Sequence, residues 1–169
     1  MIRLILAAVL ATAACSSPAE PTSPLVALSH TFESPEAVAR AVISALTERN
    51  VVRLQQLSLS EAEFRHHVWP ELPTSRPERN VPFDYAWGQL KQQSDAFLQQ
   101  TVARYAGQKL TLVSARFTGE TTQYASFSVM RESEIVATDE TGRDLILRLY
   151  GSAMIKDGRY KVFSYVIDD

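Results

Sequence analysis

The sequence predicts an α+β domain in which N-terminal helices pack on a curved antiparallel β-sheet of about four strands. Apolar residues recur with a helical period as far as Gly107 and with a period of two beyond it, and turn signals divide the second half into hairpin-sized pieces. Helices gathered at the front and strands at the back segregate into layers instead of alternating as βαβ units. The chain has 169 residues, 46% of them hydrophobic, which is material for one core and one domain.

The first helix opens at Ser34-Pro35-Glu36, where a hydroxyl can take up an orphan amide, proline fits the first helical position and an acid meets the positive end of the helix. Val38, Ala41, Val42, Ala45 and Leu46 then make one apolar face. A short turn with Leu54 and Leu57 follows Asn50. Ser60-Glu61-Ala62-Glu63 has capping-box spacing and opens a third piece through Phe64 and Val68. Pro70 stops that piece, and residues 70–82, with four prolines, read as a loop. Asp84 is placed to cap the longest helix, whose stripe of Trp87, Leu90, Phe97, Leu98, Val102 and Tyr105 runs on to Gly107.

Strands are expected over residues 110–117, 123–130 extending toward Thr138, 143–156 and 159–168. Thr118-Gly119, Glu140-Thr141-Gly142 and Asp157-Gly158 mark the turns, the last being a favoured type I′ pair. Gly151 in mid-strand predicts a bend or bulge. Leu145, Leu147, Leu149, Ala153 and Ile155 form the inward register of the third strand, and Ala125, Phe127 and Val129 that of the second.

Seventeen basic against nineteen acidic side chains leave no basic surface for phosphate backbones, so nucleic acid is not an expected partner. A single cysteine, Cys15, excludes an intramolecular disulfide and a CxxC pair. No motif calls for a cofactor, and no phosphate-cradling glycine loop or supported Ser-His-Asp set is present. His67 has Glu63 and Glu71 at helical spacings of four, but one histidine and two carboxylates on an exposed helix read as a solvated ion-pair cluster, and no metal site is expected.

Residues 1–14 have a signal-peptide layout: Arg3, an apolar run too short to span a bilayer, and small residues before Cys15. Leu10-Ala11-Thr12-Ala13-Ala14-Cys15 resembles the lipobox of bacterial lipoproteins, in which cleavage precedes a cysteine that becomes lipidated. The resemblance implies Cys15 as the lipidation site, a membrane as partner through that anchor, and a place in the bacterial cell envelope. Ser16 after the cysteine favours the outer membrane where the source has one. Residues 15–31 would then be the lipidated cysteine and a tether, rich in proline and serine up to Pro24, with 32–169 the folded domain. Leu25, Val26 and Leu28 are more apolar than a tether needs, so part of that stretch is expected to dock.

The order of elements over residues 34–169 is similar to the nuclear transport factor 2-like (cystatin-like) cone. The resemblance rests on the Ser-Pro-Glu-Ala-Val opening, the leucine-rich turn after Asn50, the long helix before the sheet and the final hairpin at Asp157-Gly158. That fold hosts isomerases and cyclases as well as non-enzymatic accessory domains, so it does not assign an activity. The inward positions of the second and third strands transfer no proton, which favours a non-catalytic binding or accessory domain; a small-molecule isomerase or cyclase is the alternative, and needs a bulge at 131–134 to turn Glu132 or Glu134 inward. Asp84, Tyr85 and Trp87 are the candidate pocket mouth for a small apolar ligand. Ile146, Tyr150 and Met154, on the second face of the third strand, are the candidate sheet-face interface for a protein partner or a second copy.

Overall fold

A computed structural model describes residues 26–166 of the chain. Cys15, the leader and most of the expected tether lie outside the described residues. Four helices, α1 Pro35–Thr47, α2 Val51–Leu57, α3 Glu61–Glu63 and α4 Phe83–Tyr105, pack on antiparallel strands in an α+β arrangement. The strands are β1 Thr111–Phe117, β2 Thr121–Gln123, β3 Ser128–Arg131, β4 Ser133–Thr138, β5 Asp144–Leu147, β6 Ser152–Lys156 and β7 Arg159–Ser164. They form a three-stranded sheet, β1-β4-β5, and a four-stranded sheet, β2-β3-β6-β7.

The helix starts follow the sequence closely. Ser34 accepts from the Ala37 amide at 3.2 Å, Asn50 from the Arg53 amide at 3.0 Å, and Ser60 and Glu63 complete a reciprocal capping box. α3 runs on into a π-helical turn, Phe64–Val68, and residues 70–82 are mostly three short 3-10 turns rather than open loop. Asp84 is not the cap of α4: the helix begins one residue earlier, at Phe83, with Pro82 before it. Phe83 packs edge-on against Trp69 at 5.6 Å and tilted against Phe64 at 6.0 Å, so core contact sets the start. At the other end Gly107 has φ 81°, and a Cβ there would lie 2.6 Å from Arg49 Nε. Only glycine fits that approach.

Two of the expected strand runs are broken at the same line across the sheet. Glu132, with φ 56°, separates β3 from β4, and residues 148–151 separate β5 from β6. The breaks face each other: the Ser133 amide donates to the Gly151 carbonyl at 3.3 Å, and the Ser133 hydroxyl donates to the Tyr150 carbonyl. The sheet therefore bends there, as Gly151 predicts, and wraps toward the helices. At the final turn Asp157 and Gly158 both have positive φ, 51° and 72°, as a type I′ hairpin requires.

The bend makes room for two apolar clusters. The main core unites α1, α2 and Leu98 of α4 with Ala115, Ile135, Ala137, Leu147, Leu149, Tyr150, Val162 and Tyr165. A second cluster holds Leu59, Phe64, Val68, Phe127, Val129 and Met154, with Leu28, Trp87 and Phe163 against it. β7 contributes to both, Val162 to the main core and Phe163 to the second. The apolar residues on both faces of this strand thus have a cover within the chain itself.

Candidate functional site

The most unusual chemistry of the described residues is a pair of charges inside the second cluster. Across the sheet Val129 pairs with Met154 and Met154 with Lys161, so the lysine stem extends an apolar row. Its ammonium meets the Glu63 carboxylate at 3.4 Å, and both side chains are almost wholly buried, 1% and 3% exposed. The capping box of α3 carries Glu63 to that place: Oε2 accepts from the Ser60 amide at 2.8 Å. Oε1 accepts from the Ser29 amide at 2.7 Å and the Ser29 hydroxyl at 3.0 Å, and Lys161 Nζ donates to the Ser29 carbonyl at 2.6 Å.

Burial pushes the Glu63 carboxyl up, but hydrogen bonds from Ser60 and Ser29 and the Lys161 charge outweigh it and leave the group below its ordinary value. Burial pulls the Lys161 ammonium down, against the opposing pull of Glu63. A carboxylate that accepts from three protein donors beside a cation is poorly placed to take a proton from a substrate. The arrangement is a clasp on the chain at Ser29. Beside it opens a cleft of about 280 Å³, bordered by Ser29, His30, Val52, Gln55, Ser58 and Glu63.

The segment so held is the end of the expected tether. His67 Nε2 lies 2.5 Å from the Val26 carbonyl, Leu28 joins the second cluster, and Arg159 donates to the Thr31 carbonyl at 2.9 Å. Phe32 and Tyr160 then exchange two backbone hydrogen bonds of 2.8 Å. Residues 26–31 therefore lie against the domain. The solvated cluster expected around His67 does not form either. Glu63 is buried, Glu71 accepts from the Ser126 amide and hydroxyl, and among the described residues no three metal-binding side chains are grouped to hold an ion.

The three residues read as a pocket mouth do not line one. Asp84 is exposed and pairs with Arg65 at 3.4 Å, and Tyr85 is exposed. Trp87 packs on the second cluster, 5.3 Å from the Phe64 ring, and the cleft it borders holds only about 10 Å³. The helix turns consecutive side chains by about 100°, which sets Tyr85 on the side away from Trp87.

The expected sheet-face interface is likewise divided. Ile146 is 74% exposed on β5, but Tyr150 and Met154 are 1% exposed, one in each apolar cluster. The break at 148–151 contains Tyr150 and puts Ile146 and Met154 in different sheets, which alternation counted through one continuous strand misses. Ile146 borders a groove of about 400 Å³ between β5 and α4, with Phe97, Thr101, Arg104, Tyr105 and Arg148. A second groove of about 410 Å³ lies against Ile43, Leu110 and Leu112.

Where the isomerase or cyclase alternative needs a bulge, at 131–134, the chain has a strand break at Glu132, and the buried residue beyond it is Ser133, not a carboxylate. The Glu132 side chain lies over Gly119, and Glu134 pairs with Arg116 at 2.5 Å. Between helices and sheet the space is filled by Leu149, Tyr150, Leu98 and Tyr165, the last donating its hydroxyl to the Leu54 carbonyl at 2.6 Å. Burial raises both tyrosine hydroxyls far above the ordinary value, so they remain protonated. Compared with protein-family models, curated proteins and solved structures, the chain matches none.

Proposed function

We propose that the protein is a lipid-anchored lipoprotein of the bacterial cell envelope, with a non-catalytic binding or accessory domain resembling the nuclear transport factor 2-like cone. The observation that carries this reading is the commitment of the buried titratable groups to structure: Glu63 and Lys161 grip Ser29, and the Tyr165 hydroxyl caps Leu54. Acid-base chemistry of the isomerase or cyclase kind needs such a group free beside a cavity. Binding would then use the surface, where the grooves beside Ile146 and beside Leu112 offer apolar area to a small apolar ligand or another protein.

The anchor rests on the lipobox ending at Cys15 and on the proline-rich stretch after it. Labelling cells with a traceable fatty acid tests it. The wild-type chain should carry label into the membrane fraction and the Cys15→Ser variant should carry none; label that persists in the variant refutes the anchor. Ile146→Asp tests the surface. It should abolish any self-association seen by light scattering, since the side chain has no role in the core.

A further inference from the structure

The buried charge pair closes on one short stretch of chain, and that stretch is the one leading out of the folded domain toward the N-terminus. Its grip is mostly polar. Glu63 takes the Ser29 amide and hydroxyl, Lys161 the Ser29 carbonyl, His67 the Val26 carbonyl and Arg159 the Thr31 carbonyl. Leu28 is the side chain of this segment that joins an apolar cluster, while Ala27, Ser29 and His30 are exposed. His30 has φ 47°, in the left-handed region that L side chains adopt reluctantly, between two neighbours that are both clamped.

We propose that residues 26–31 form a releasable strap, held down by the Glu63–Lys161 clasp and able to lift from the domain without unfolding it. A wholly apolar clasp would oppose release with exposed hydrocarbon. A charged one exchanges its hydrogen bonds to Ser29 for bonds to water, which can enter along the adjoining cleft of about 280 Å³. Glu63 keeps the Ser60 amide and Lys161 when the strap leaves, so neither charge is stranded. Release also frees His30 from its left-handed conformation. The hinge is fixed by the paired hydrogen bonds of Phe32 with Tyr160, immediately before the Ser34 cap of α1. Local opening of this kind, drawn from the weakly packed end of a structure, is ordinary for segments with few apolar contacts.

Released, the six residues add about 20 Å of extended chain. On the anchored reading above, the strap sets a short and a long reach of the domain from the membrane; the release itself stands without the anchor.

Residue-resolved hydrogen exchange on the full chain tests it. The Ser29 amide should exchange at least 100-fold faster than the β7 amides, at a rate insensitive to low urea. The double variant Glu63→Gln/Lys161→Met should speed Ser29 exchange a further tenfold or more beyond any change in β6 exchange. Ser29→Ala, which leaves both charges in place and removes only the hydroxyl bond to Glu63, should speed it several-fold and covers the case in which the double variant does not fold. A Ser29 amide as protected as β7, or one that neither variant accelerates, overturns the proposal. Loss of the anchored reading, by contrast, would show only in the fatty-acid label at Cys15 and would leave these rates as they are.

Discussion

Replacing Lys161 with methionine keeps the stem that packs beside Met154 and removes only the ammonium, so it isolates what the cation does. Glu63 would remain 3% exposed and charged, keeping its bonds from Ser29 and Ser60 but losing the compensating charge. Removing one member of a buried pair costs about 3–5 kcal/mol. Three surviving donors, and a cleft through which water can reach the carboxylate, place this case near about 3 kcal/mol. For a chain of this size that is roughly a 10 °C fall in Tm. Urea unfolding followed by circular dichroism, with an unchanged m-value, would measure it. Adding Glu63→Gln should return more than half of the loss, because the amide oxygen can still accept from the Ser60 amide and no buried charge remains. A single variant within about 1 kcal/mol of wild type, or a double variant no better than the single, would refute the description of the pair as closed and mutually dependent.

Three further outcomes follow from the same contacts. Glu63 is held below 4.5, so the unfolded chain binds its proton more readily, and the stability this contributes is present above pH 4.5 and lost as pH falls through the lower folded value; urea midpoints from pH 7 to pH 3 should therefore converge for wild type and the Glu63→Gln/Lys161→Met variant. Tyr165→Phe leaves the Leu54 carbonyl without its donor and should lower unfolding free energy by about 1–3 kcal/mol in the same assay. Met154→Ala should cost about 2–5 kcal/mol and Ile146→Ala no more than about 0.5 kcal/mol, a contrast that a shared outer face for the two residues would not produce.

The elements that sequence reveals well are those decided within a few residues of themselves. Ser34, Asn50 and Ser60 each cap a helix because cap chemistry is local, and Asp157-Gly158 makes its turn because both residues tolerate positive φ. Gly151 announced the bend, but not that Glu132 would break the neighbouring strand at the same line; that depends on Ser133 reaching the Tyr150 and Gly151 carbonyls. The clasp was not legible for the same reason. The Ser60-to-Glu63 spacing was visible, yet Glu63 looked like a member of an exposed cluster with His67. Its burial follows from Lys161 reaching across to it and from residues 26–31 folding back, contacts more than thirty residues apart in sequence.

A buried ion pair is a poor source of stability compared with well-packed hydrocarbon, so its place in an apolar row invites another account. β7 is covered on both faces, and Val162 and Phe163 are each acceptable to either cluster by size and polarity. Apolar packing alone would therefore discriminate weakly against a one-residue slip of this strand, which would turn every side chain to the opposite face. Lys161 changes that. A slip would drive its ammonium toward Val38, Val42 and Leu149 in the main core and leave Glu63 facing a hydrocarbon, so two buried charges would lose their partners at once. At about 3–5 kcal/mol for each broken pair, that penalty is a large fraction of the 5–15 kcal/mol by which a domain is stable. Methionine at 161 with glutamine at 63 would exclude almost nothing. The pair thus selects the register of the final strand, and through Phe32 and Tyr160 it selects where the N-terminal segment joins the sheet.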